Sequence, residues 1–236
     1  MMKYWQTRCG TLVEQIISGW SNVYLVSFNG HHIMVDSGPS LLSGKLNESV
    51  SSIGLKSLDA LVLTHTHFDH TGNAAILKER FRMPVLVHRS ESVFLESGFS
   101  PLPHGSWPIS EFIYNLGARR VEKYLKVKVV IPDILVDDRF DLSVFGIRAR
   151  LIHTPGHTRG SISMIIDEQL VISGDTCVSP FPGRAFPPWA DDPERLVRSW
   201  KILLDTNCEV FLPMHHRTIP RKTLEREYEK HRKLSL

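Results

Sequence analysis

Apolar residues in the first third of the chain come in short runs broken by turn residues, the period of strands rather than of long helices. Two such runs, "NVYLVSF" and "HHIMVD", flank Asn29-Gly30. That dipeptide readily supplies the positive φ angles of a two-residue turn, so a hairpin is expected near the start. "LDALVL" reads as a buried strand, and "TGNAAILKERF" after it as a helix with Ala75, Ile76 and Phe81 on one side. "MPVLVH" reads as another strand and "SESVFLES" as a short helix, followed by an irregular "GFSPLPHGSWP" rich in Pro and Gly. A helix capped by Ser110 is expected over "SEFIYNLGARRVEKYL".

The second half repeats this style. "FGIRARLIHT", "SISMIID", "QLVISGD" and "EVFLP" read as strands, with a charged helix at the end. "DDPERLVRSWKILLDT" reads as a helix: Asp191 or Asp192 can cap it, and Pro193 suits its first turn. Leu196, Val197, Trp200, Leu203 and Leu204 make its apolar stripe. Strands then helix, twice over, predict two sheets packed face to face with helices outside.

Composition narrows the class. A chain of 236 residues with 42% hydrophobic and 22% charged residues has enough apolar material for a sizeable core, and one domain is the expectation. Charged groups sum to +3, concentrated in the last stretch, which is weak support for nucleic acid or an anionic membrane as partner. Cys9, Cys177 and Cys208 are odd in number and far apart, so no disulfide framework is expected. The N-terminal stretch has no apolar segment of the secretory kind, and no run of about 18 apolar residues exists to cross a bilayer. A cytoplasmic protein acting on a small molecule is the expectation.

The candidate chemistry sits in "THTHFDHTGN", where His65, His67, Asp69 and His70 fall within six positions. Neutral imidazoles and carboxylates bind zinc, iron or manganese, and His-x-His on an extended segment points both rings to one side. His65 and His67 suit one ion; Asp69 and His70, after a turn, suit a second. His157, Asp175 and His215 each stand at a strand end beside a turn signal and can complete the count. Two cations a few ångströms apart can turn water into hydroxide near neutral pH.

His65-x-His67-x-Asp69-His70, then His157 after Pro-Gly, Asp175 after Gly and a late histidine after Leu-Pro, resembles the metallo-β-lactamase superfamily from about Asn22 to His215. The resemblance implies an α+β fold, a four-layer αββα sandwich of two mixed sheets with the site at one edge. Carried over, His65, His67 and His157 hold the first ion, and Asp69, His70 and His215 the second. Asp175 bridges, and Asp36 in "IMVDSG" supports the ligands from behind. Two divalent ions follow, Zn(II) first, with Fe or Mn as alternatives. The family commonly ends its site with Pro-Gly-His-Gly, whereas this chain reads Pro213-Met214-His215-His216, so His216 competes with His215. An aspartate at 175, where true β-lactamases often carry cysteine, resembles the glyoxalase II, lactonase and ribonuclease-like branches.

Asp69 is also the expected catalytic group, accepting a hydrogen bond from the nucleophile and passing a proton to the leaving group. A lid is expected around 88–138, with Trp107, Phe112 and Tyr114 either contacting substrate or packing the lid down. His153 reads as a packed histidine, His31 and His32 as hairpin residues, and Cys177 as a small buried hydrophobe. Asp36 could instead cap the turn before Gly38. The favoured function is a dinuclear hydrolase of a small ester, thioester or lactone. A phosphodiesterase or nuclease and a mononuclear iron oxygenase acting on a persulfide are the alternatives. With 20 residues after His216, a glutathione-gripping C-terminal domain is not expected.

Overall fold

The computed structural model describes residues 3–118 and 125–235. The first sheet runs β1 (Lys3–Gln6), β2 (Leu12–Ile17), β3 (Val23–Phe28), β4 (His31–Val35), β5 (Ala60–Val62), β6 (Val85–His88) and β7 (Ile134–Val136) in spatial order. It is antiparallel up to β4 and parallel from β4 to β7. The second contains β8 (Arg139–Asp141), β9 (Ala149–His153), β10 (Ile162–Ile166), β11 (Leu170–Gly174), β12 (Val210–Pro213) and β13 (Ile219–Pro220). There only β11 and β12 are parallel. Asn29 and Gly30 take φ of 50° and 82°, the left-handed pair that closes the β3–β4 hairpin.

Strand alternation sorts the core into three slabs. Tyr24, Val26, Ile33, Val35 and Val62 of the first sheet meet Leu151, Ile162, Met164 and Ile172 of the second in a shared interior. The intervening residues Leu25, Met34, Leu61 and Val85 point the other way, onto Leu46 and Val50 of α1 (Ser43–Ser52) and onto Leu77. On the far face Ile165, Val171 and Phe211 pack against Leu196, Val197, Trp200 and Leu203. A one-residue slip in any central strand would exchange these faces, so the period-2 pattern fixes the register. The result is the αββα sandwich expected of the chain.

Several elements differ from the sequence reading. The helix expected over "TGNAAILKERF" is α3 (Ala74–Phe81), shorter than that stretch and preceded by the helical turn α2 (Phe68–Thr71). Its buried apolar residues are Ala74 and Leu77, whereas Ala75, Ile76 and Phe81 are half-buried. "SESVFLES" becomes a 3-10 turn followed by α4 (Ser92–Ser97). Ser110 is not a cap: α5 (Pro108–Ile113) begins earlier because Pro108 suits its first position. The Ser110 hydroxyl instead reaches back to the backbone of Trp107. A π-type turn covers Tyr114–Ala118, and the rest of that expected helix lies partly outside the described residues. The sequence reading passes over β1, β2, α1, β7 and β8. The penultimate helix α6 (Pro193–Leu204) has Asp192 as cap, its carboxylate accepting the Arg195 N–H at 2.8 Å. The charged terminal helix is α7 (Arg221–His231).

Candidate metal centre

Strand polarity gathers the candidate residues. Strands β4 and β5 run parallel, as do β9, β11 and β12, the first of these being antiparallel to β10 on its way to β11. Asp36 follows β4, His65 follows β5 by three residues, and His157, Asp175 and His215 come within four residues of the ends of β9, β11 and β12. All leave the C-terminal ends of their strands at one rim of the sandwich.

Here the structure brings together His65, His67, Asp69, His70, His157, Asp175 and His215. His65 Nε2 and His157 Nε2 lie 2.9 and 3.1 Å from His67 Nδ1. Ligating atoms of His65, His67 and His157 fall within 4.8 Å of one another, as do those of Asp69, His70 and His215, and of His65, His70 and Asp175. Asp175 Oδ2 stands 3.2 Å from His215 Nε2, 3.6 Å from His157 Nε2 and 3.8 Å from His70 Nε2, between the two histidine groups. His216 belongs to none of these groups.

The outer ring nitrogens show why the inner ones face each other. His70 Nδ1 donates to Asp36 Oδ2 at 2.7 Å, and His157 Nδ1 to the Trp189 carbonyl at 2.9 Å. His215 Nδ1 donates to the Trp20 carbonyl. Thr64 spends its hydroxyl proton on Asp36 Oδ2 at 2.7 Å, so it accepts from His65 Nδ1 at 3.1 Å. With each outer nitrogen protonated, each inner nitrogen carries a lone pair. Buried lone pairs and carboxylates of this kind repel unless a cation lies among them. His70 Nε2 and Asp175 Oδ1 are buried with no hydrogen-bond partner. The donor set of imidazole and carboxylate, all aimed inward, fits divalent cations.

Electrostatics agree. Burial, reinforced by the neighbouring histidines, drives His65 and His67 well below their usual value, into the neutral form a ligand requires. Burial alone would lower His70, but the carboxylates of Asp69, Asp175 and Asp36 outweigh it and raise it to about 10, so with no cation among them the ring itself takes the proton at Nε2, the place a bound cation would fill. Burial likewise opposes ionisation of Asp175, yet His215, His70 and His157 hold its carboxyl far below the usual range. The acidic side of the cluster demands positive charge.

Asp36 sits at φ 57° with no exposure, accepting the Thr64 amide and hydroxyl and the His70 ring, each at 2.7 Å. Two supporting groups were beyond the sequence reading. Glu91, fully buried, accepts the Thr66 amide and hydroxyl with one oxygen and the Gly160 amide with the other, tying the His65–His67 segment to the turn after His157. Trp20 donates to Asp69 Oδ2 at 3.2 Å while its carbonyl orients His215. Glu91 reads locally as the start of a short helix, and Trp20 precedes a strand; neither carries a local signal for its distant partner.

Above the cluster opens a cavity of about 620 Å³, lined by Trp20, Phe68, Leu102, Ile113, Tyr114 and Trp189 among others. Trp107 lies outside that lining, half-buried against the outer core and stacked on Phe181 at 6.5 Å. Phe112 is 64% exposed. His153 stacks on His88 with ring centres 4.0 Å apart and meets the Arg159 carbonyl.

Comparison with known proteins supplies the family. Residues 19–215 match the family described as the metallo-beta-lactamase superfamily. A probable metallo-hydrolase of Methanocaldococcus jannaschii is 32% identical over 171 residues, 72% of this chain and 74% of that one. Among solved structures, an archaeal superfamily protein from Sulfolobus tokodaii has a TM-score of 0.65 at 26% identity, covering 92% of this chain and 85% of its own. TTHA1623 in a di-iron-bound form has a TM-score of 0.63 at 27% identity, covering 88% and 93% respectively. The chain therefore belongs to the metallo-beta-lactamase superfamily and is one of its metal-dependent hydrolases.

Proposed function

We propose that the protein hydrolyses a small ester, thioester or lactone at a two-cation centre. His65, His67 and His157 would hold one cation and Asp69, His70 and His215 the other, with the Asp175 carboxylate available to both; Zn(II) is the first candidate and iron the second. The observation that carries this reading is the set of inward lone pairs, fixed by outside acceptors, at the floor of a largely apolar cavity. When bound, such a pair supplies Lewis acidity and water acidic enough to ionise near neutral pH.

The protein's own groups do the rest. Asp36 holds His70 in the tautomer that turns Nε2 inward, and the Trp189 and Trp20 carbonyls do the same for His157 and His215. Asp69 Oδ2, steered by the Trp20 indole, accepts the proton of the attacking water. The water oxygen bonds to the acyl carbon, the bond from acyl carbon to oxygen or sulfur breaks, and the proton passes from Asp69 to the departing alcohol or thiol. Within the 88–138 stretch, Leu102, Ile113 and Tyr114 act as the lid over the cavity. A cytoplasmic location accords with Cys9, Cys177 and Cys208 all being free thiols; among the described residues no helix is long and apolar enough to cross a membrane.

The test is turnover of a lactone, a thioester and a phosphodiester by metal-loaded protein, with and without chelator. Chelator-sensitive cleavage of a carbonyl substrate supports the reading. Preference for the phosphodiester, or one iron per chain with oxygen uptake on a persulfide, points to the alternatives.

A further inference from the structure

The cavity wall has a chemical character of its own. Beyond the cluster at its floor, the polar side chains lining it are Tyr114 and His216, and no lysine or arginine is among the described lining residues. The remaining wall is aromatic and aliphatic. Trp20 is 69% exposed, Ile113 49% and Trp189 38%, so an apolar edge continues from the cavity to its mouth. Among the described residues, an anionic group drawn along that wall would lose its water with no lysine or arginine beside it. An alkyl chain would lose only unfavourable hydration.

The same wall is tied to the cluster. Trp20 and Trp189 line the cavity while their carbonyls fix the rings of His215 and His157. A chain laid along these two residues can therefore bring its carbonyl end to the cluster at the cavity floor. We propose, resting on the ester-hydrolase reading above, that the substrate is a neutral ester or lactone whose apolar acyl chain lies along Trp20, Phe68, Leu102, Ile113 and Trp189. Hydrophobic pockets gain roughly 10-fold or more per methylene when the fit is close, so chain length is the variable to read.

The test compares p-nitrophenyl esters from acetate to octanoate with the mono-p-nitrophenyl ester of octanedioic acid, whose far end is a carboxylate, on metal-loaded protein. The expected result is a rise in kcat/KM of at least about tenfold from acetate to octanoate and a fall of similar size for the carboxylate-tipped ester. Ile113→Lys, at a half-exposed position that tolerates charge, should narrow the gap between octanoate and its carboxylate-tipped counterpart. A flat chain-length profile, equal turnover of the charged ester, or an unchanged ratio in the variant overturns the proposal.

A binding readout separates this proposal from the reaction it rests on. Quenching of tryptophan fluorescence by 2-decanone, stronger than by 2-butanone, supports the recognition even if no ester is turned over, in which case the hydrolase reading fails alone. Equal quenching by the two ketones overturns the recognition whatever the activity.

Discussion

Asp69 is the residue on which chemistry and support can be told apart. Its carboxylate meets the Trp20 indole and His215 Nε2, and its backbone carbonyl accepts the Ser21 hydroxyl at 2.7 Å, a bond a shorter side chain leaves intact. Asp69→Ala in metal-loaded protein should lower kcat by about 10²- to 10⁴-fold while the melting temperature moves by no more than a few degrees. An unchanged kcat contradicts its role. His216 makes the opposite prediction. It holds φ 65°, a left-handed conformation unfavourable for a side chain with Cβ, at the position where the family commonly has glycine. His216→Gly should raise stability by up to about 1 kcal/mol in denaturant titration, and a loss would mean that its side chain makes a compensating contact. At this scale the clustered histidines and aspartates were legible because these residue types recur in a fixed order beside turn signals. Glu91 and Trp20 were not, since what they hold is 69 residues away at Gly160 and 195 away at His215.

Elements carry the ligands only as accurately as their turns allow. The Pro155-Gly156 turn delivers His157, and it is clamped by α6: the Asp192 amide donates to the Gly156 carbonyl at 2.9 Å and the Ser199 hydroxyl to the Pro155 carbonyl at 2.6 Å. Gly156 has φ 138°, and a Cβ there would stand 2.3 Å from the Leu196 amide nitrogen. Gly156→Ala should therefore cost about 1–3 kcal/mol or more and reduce bound metal in the same preparation. A variant with full metal content and full stability would show that the turn can move freely. His88 at the end of β6 stacks on His153 at the end of β9, bridging the sheets. Burial first and His153 second lower His88 to about 4. The unfolded chain then takes up more protons than the folded one between about pH 6.5 and 4, so this contribution to stability is present at neutral pH and lost on acidification. His88→Asn, which keeps an acceptor for the Ser90 amide, should show a smaller fall in urea midpoint between pH 7 and 4.5 than the parent; an equal fall removes His88 as a cause.

Most elements missed from the sequence, β2 excepted, carry too little buried pattern to register. β1 is exposed on most of its residues and so lacks alternation, α1 buries only Leu46 and Val50 amid serines, and β7 and β8 are three residues long, too short for a period to register. Long, buried strands such as β10 and β11 were legible because hydrophobic runs bounded by Gly and Asp leave little choice.

At the scale of the molecule, two sheets of opposite faces share one core and send their strand ends to one rim, so residues as distant as Asp36 and His215 become neighbours of one cluster. Crowding five imidazoles and two carboxylates into one cluster is costly, and bound cations would offset that cost by ligation. Metal content of the purified chain after saturation and removal of excess ions is the most direct test. The account predicts about two divalent ions per chain, lost together with carbonyl-substrate hydrolysis on chelation. A chain that retains none, or saturates at one with hydrolysis intact, contradicts it.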